Sequence, residues 1–132
     1  MRSIRRRLLV TLGVLALAVG TMVPLSAQSK APADPQIAKV RVAIEQYVER
    51  DTKLKGGFFL RDAKEQIVRD LKLDFVHEGI EKGAGGQQVM CVDFLDRNQT
   101  RLDVDFSVKP APSGELQVTD IKIHKVNGVI RK

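Results

Sequence analysis

Apolar residues recur along this chain with three successive rhythms. From residue 8 to residue 19 they are almost continuous, and no charge interrupts them. Ile37, Val40, Ile44, Tyr47, Val48 and Leu54 then recur at spacings of three and four, the mark of one stripe on a helix. After Gly57 the period drops to two, which is the rhythm of strands with one buried face. The helix has its own start and stop signals. Asp34 can cap it, Pro35 suits the first helical position, and Gly56-Gly57 can leave it through a left-handed turn. Lys39, Arg41, Glu45, Glu49 and Arg50 fall mostly off the stripe, so the polar side reads as solvated.

The period-two part divides into strands. Phe58 to Arg61 is a short first strand, and residues 62–66 are a turn. Ile67, Leu71, Leu73 and Phe75 alternate with Val68, Lys72 and Asp74 in a long second strand that runs towards His77. The glycines at 83, 85 and 86 mark a loop, and residues 88–95 a third strand. Leu102, Val104, Phe106 and Val108 alternate with Asp103, Asp105 and Ser107 in the cleanest half-buried strand. Residues 116–126 form the last long strand. Its apolar parity slips between Val118 and Ile121, which predicts a bulge near Thr119-Asp120. Asn127-Gly128 is a tight-turn signal, after which Val129-Ile130 folds back as a stub.

One long helix followed by four or five antiparallel strands has an economical solution. The meander curls round the helix, and the helical stripe fills its concave side. The expected class is α+β, one N-terminal helix on a curved four- to five-stranded antiparallel sheet. This plan is similar to the cystatin-like and nuclear-transport-factor-2-like folds, a likeness of architecture that implies no activity.

The first rhythm has a different meaning. Arg2, Arg5, Arg6 and Arg7 precede the apolar run, and Pro24, Ser26 and Ala27 follow it. That order is the build of a secretory signal peptide over residues 1–27, cut after Ala27, with an uncleaved membrane anchor as the alternative. Residues 28–33 then read as a disordered linker and residues 34–132 as a single domain. The implied location is periplasmic or secreted by the general secretory route, with no stable membrane insertion after cleavage. The leader also accounts for most of the charge. It holds four of the 22 Lys and Arg and none of the 16 acids, so the remaining 105 residues carry 18 against 16, a net of +2. Without a clustered positive excess, and with Tyr47 and five Phe as the only aromatics, nucleic acid is not an expected partner.

Candidate chemistry is sparse. There is no nucleophile elbow, no phosphate loop and no paired-histidine metal motif on a helix, so no catalytic residue, metal or cofactor is assigned. The single cysteine, Cys91, lies in an apolar strand and reads as a small core hydrophobe, with a reactive thiol or an intermolecular disulfide as alternatives. Asp103 and Asp105 share a face about 7 Å apart by the strand rise, near Asp93. Paired carboxylates can serve acid–base work or hard cations, and equally can sit opposite lysines or arginines on a wet sheet face. His77 and His124 lie near strand ends and could meet if their strands are neighbours, backed by Glu78 or Asp120.

The segments at residues 56–62, 71–79, 91–94, 102–106 and 123–128 resemble small exported bacterial proteins without an assigned activity. The expected function is a non-catalytic binding or interaction module for a protein, a peptide or a small apolar ligand. The candidate ligand-binding residues are Tyr47, Phe75, His77, Asp93, Asp105 and His124. A cleft between helix and sheet would be lined by Tyr47, Val48, Phe75, Phe94 and Phe106. Alternatively, an apolar strip on the outer sheet face, built on Val89, Cys91 and Leu95 with Phe59 and Val76, would hold a partner or a second copy. The alternative from another class is a small cone-shaped enzyme with His77 or His124 and Asp93 or Asp105 as acid and base.

Overall fold

A computed structural model of the chain describes residues 34–132. The signal-peptide and linker readings lie outside the described residues. The helix α1 spans Pro35–Lys55. Its start is built as the sequence predicts: the Asp34 carboxylate accepts a 2.8 Å bond from the Gln36 N–H, and Pro35 occupies the first turn. Gly56 ends it at φ 77°, donating its N–H to Thr52 O. Gly57 lets the Phe59 ring lie close against the backbone. A Cβ there would sit 2.8 Å from the Phe59 ring and 3.1 Å from the Asp70 carboxylate.

Seven antiparallel strands follow: β1 Phe58–Asp62, β2 Ile67–Val76, β3 Glu81–Lys82, β4 Gln88–Asp96, β5 Arg101–Pro110, β6 Leu116–Val126 and β7 Val129–Ile130. They make one curved sheet in the order β1-β2-β4-β5-β6-β7, with β3 paired to the start of β4. The class is therefore α+β, a helix against a curved antiparallel sheet. The strand number exceeds the four or five expected because two-residue pairings form at both β3 and β7. No described helix is long and apolar enough to cross a membrane.

The core lies between helix and sheet and is filled. Val40, Ile44 and Val48 of α1 meet Met90, Val92 and Phe94 of β4 and Leu102, Val104, Phe106 and Val108 of β5. Phe58, Phe94 and Phe106 stack with ring centroids 5.2–6.3 Å apart. Leu54 is not part of the helical stripe and is 78 % exposed. Six residues beyond Val48, at 100° per residue, it points to the far side of the helix.

Three bulges set which residues face outward. Leu73 pairs with Phe94 and Phe75 with Asp93, so Asp74 is an extra residue in β2. The parity flips there. Phe75 turns to the outer face, 53 % exposed, and does not line a cleft, whereas Val76 turns inward opposite Val92 and does not join an outer strip. In β6, Thr119 is the extra residue between Val118 and Asp120, where the sequence parity slips. A further extra residue, His124, lies between Ile123 and Lys125.

Candidate functional site

The outer sheet face gathers most of the sequence candidates. Along β4, Cys91 and Asp93 alternate with the buried Met90, Val92 and Phe94 and so point outward. The antiparallel register sets Asp93 opposite Asp103 and Cys91 opposite Asp105. His77 follows β2 and is held in the ladder by its own N–H, which donates to Cys91 O at 3.1 Å. Its Nε2 lies 2.9 Å from Asp93 Oδ1. The Phe75 ring meets the imidazole edge-on, with centroids 5.3 Å apart. On the other side, His124 Nδ1 lies 3.3 Å from Asp105 Oδ2. Lys125 is 3.4 Å from Asp103 and Arg101 is 3.8 Å from Asp93. The aspartate row thus has cross-strand cations, as a wet sheet face would.

The two histidines do not meet. Their parent strands β2 and β6 are separated by β4 and β5, so each pairs with its own aspartate rather than with the other. The acids they meet are Asp93 and Asp105, respectively. Cys91 is not in the core between helix and sheet. It is half-buried on the outer face, in reach of the carboxylates. Its burial, and then the charges of Asp105, Asp103 and Asp93, push the thiol up to about 12. A thiol held protonated at neutral pH is a poor nucleophile.

Tyr47 lies apart, on the helix side of the sheet. Its ring meets Phe106 edge-on, with centroids 6.5 Å apart, and the Arg50 guanidinium covers it at 5.8 Å. It also lines an open groove of about 870 Å³ between α1 and the start of β6, with Val42, Ala43, Leu116 and Val118. Val42 is 48 % exposed at this groove. Beside it, β6 is a sheet edge for most of its length. β7 pairs only with Lys125 and Val126, and the Arg131 N–H takes His124 O at 2.7 Å. Among the described residues, the Leu116–Ile123 stretch has β5 as its one strand neighbour. A sequence cannot show which strand ends the sheet, and this groove was not foreseen.

Also unforeseen is a buried ionic cluster at the β1–β2 end. Arg69 is 6 % exposed and its guanidinium donates to Asp62 at 2.9 and 3.0 Å, to Asp96 at 2.8 Å and to Glu65 at 3.0 Å. Arg131 reaches the same Asp62 and Glu65. Burial alone would raise the Asp62 and Asp96 carboxyls. For Asp62 the Arg69 hydrogen bond, the Glu65 N–H and the Arg131 charge outweigh it, and for Asp96 the Thr100 and Asn98 N–H groups and Arg69 do, so both titrate below the usual carboxylate value. The partners lie 7, 27 and 69 residues apart, which hides the cluster from any local motif. One local sign existed: Arg69 shares the inward parity of Leu71 and Leu73, and an inward charge requires a partner.

No protein-family model, curated protein or solved structure matches this chain.

Proposed function

We propose that this chain is an exported, non-catalytic binding module that takes an extended peptide segment along the open edge of β6. The carrying observation is the outer edge of the Leu116–Ile123 stretch, which among the described residues has β5 as its one strand neighbour, beside a groove lined by Val42, Ala43 and Tyr47. An edge strand presents free N–H and C=O groups, and an added strand satisfies them while its alternate side chains enter the adjoining groove. The filled core supports an external site over an internal cleft. Export rests on the basic head and apolar run of residues 1–27.

A second reading has one specific support. His77 is hydrogen-bonded to Asp93 at 2.9 Å, the reach an acid–base enzyme would need, and His124 lies 3.3 Å from Asp105. Both pairs lie on the outer face, and none of the four residues lines the groove.

The test is selection of random displayed peptides on the protein, with a Val42→Asp variant as counter-screen. Selected peptides should show apolar residues at every second position, protect the amides of residues 116–123 from hydrogen exchange, and fail to bind the variant. Enrichment of peptides that bind the variant equally well would overturn the reading. So would concentration-dependent dimerisation that the same substitution abolishes, which would place a second copy on this edge.

A further inference from the structure

We propose that His77, Cys91 and Asp93 form a binding site for a divalent cation of the zinc class. One donor atom from each, an imidazole nitrogen, the Sγ and a carboxylate oxygen, lies within 4.8 Å of the other two. A tetrahedral zinc ion bonds nitrogen and oxygen at about 2.0–2.2 Å and sulfur at about 2.3 Å, which sets its donors roughly 3.3–3.8 Å apart. His77 Nε2 and Asp93 Oδ1, 2.9 Å apart, would open slightly around an ion, and donor pairs beyond that range would close by about 1 Å at most; the His77 side chain, 43 % exposed, has room for the adjustment.

The fold already holds these donors together. Cys91 and Asp93 are two residues apart on one face of β4. The bond from His77 N–H to Cys91 O locks the third ligand's backbone to the same strand. Phe75 sits against the imidazole edge. Among the described residues, Arg101 is the competing cation at Asp93, and it approaches Oδ2, whereas His77 sits at Oδ1. Oδ1 is thus the donor atom on the metal's side.

The donor chemistry chooses the ion. Thiolate and imidazole suit zinc, cobalt and copper, while calcium and magnesium demand sets of oxygen ligands. A dication against one thiolate and one carboxylate is neutral, and Asp105 and Asp103, opposite Cys91 and Asp93, add a favourable field. On coordination Cys91 releases its proton to solvent and a sulfur–metal bond forms, with no change of oxidation state. Three protein donors leave the fourth position for water or an incoming ligand. The donors sit at positions 77, 91 and 93, a spacing with no familiar metal motif, so only the β2–β4 pairing brings them together.

Cobalt reports on the site directly, because a thiolate bound to Co²⁺ absorbs in the near ultraviolet. Titration of the reduced, purified protein with CoCl₂ should give this absorption with one equivalent, and ZnCl₂ should displace it. Cys91→Ser should abolish the band. His77→Ala and Asp93→Asn should each weaken zinc binding by at least about tenfold, since even groups that merely orient a ligand cost that much. His124→Ala should leave the affinity unchanged, and CaCl₂ should not compete. Circular dichroism of each variant controls for folding, and Asp93→Asn keeps the side-chain shape. Absence of the thiolate band at saturating Co²⁺ overturns the proposal, as does zinc affinity indifferent to both His77→Ala and Asp93→Asn.

Discussion

Arg69→Met removes a guanidinium and retains much of its apolar stem, and the consequence can be worked out bond by bond. Four charge-assisted hydrogen bonds to three carboxylates disappear. Asp62 and Asp96 stay behind at 2 % and 7 % exposure. Breaking a buried ion pair from one side costs about 3–5 kcal/mol, because a charge is left buried without its counterion. Residual donors soften the loss. Asp62 keeps the N–H groups of Lys64 and Glu65 and the Arg131 guanidinium, and Asp96 keeps those of Asn98 and Thr100. The expected cost is therefore at the low end, about 3 kcal/mol at pH 7, a large part of the roughly 5–15 kcal/mol that holds a domain together. At about 4–8 °C per kcal/mol for a domain near 100 residues, Tm should fall by at least about 12 °C.

The pH dependence supplies the sharper check. In the parent protein the folded values of Asp62 and Asp96 lie below their unfolded values. Their contribution is therefore complete above the unfolded carboxylate pKa of about 3.9 and is lost as pH falls through the folded values. In the variant, burial without the guanidinium pushes the same carboxyls up, so acid neutralises charges that the fold holds at a cost. The stability gap between parent and variant should thus narrow as pH is lowered from 7 to 3. Urea unfolding followed by far-ultraviolet circular dichroism suits this chain, which has no tryptophan. A gap below about 1 kcal/mol at pH 7, the worth of an exposed pair, would refute the reasoning. So would a gap that widens in acid.

Two further outcomes follow from the site and the core. Cys91 in the metal-free protein should react with a soluble maleimide at neutral pH on the order of a thousandfold more slowly than free cysteine, whose pKa is about 8.5, and should speed up only in strong alkali; mass spectrometry of the adduct reads this out. Phe94→Ala should cost about 3–5 kcal/mol in urea unfolding, because Phe94 is fully buried in the ring stack with Phe58 and Phe106, and a cost below about 1 kcal/mol would count against that stack as the centre of the core.

The order and kind of the elements are properties of the amino-acid sequence itself, because they depend on neighbours a few residues away. Asp34, Pro35 and Gly56 bracket the helix by local backbone chemistry. The period-two runs define β2, β4, β5 and β6, and a slip in that period marks the bulge at Thr119. The α+β class follows from one amphipathic helix and several strands that must cover each other's apolar faces. Where the periodic signal is silent, long-range pairing decided instead. The bulge at Asp74 leaves no mark on the alternation of Leu71, Leu73 and Phe75, yet it sends Phe75 outward and Val76 inward. Strand order separated His77 from His124 and gave each a different aspartate. It also left β6 at the edge beside the Tyr47 groove, and drew Asp62, Arg69, Asp96 and Arg131 into one buried cluster. Each of these depends on which strands lie side by side, and that is settled by the packing of the whole sheet against the helix rather than by any short stretch of chain.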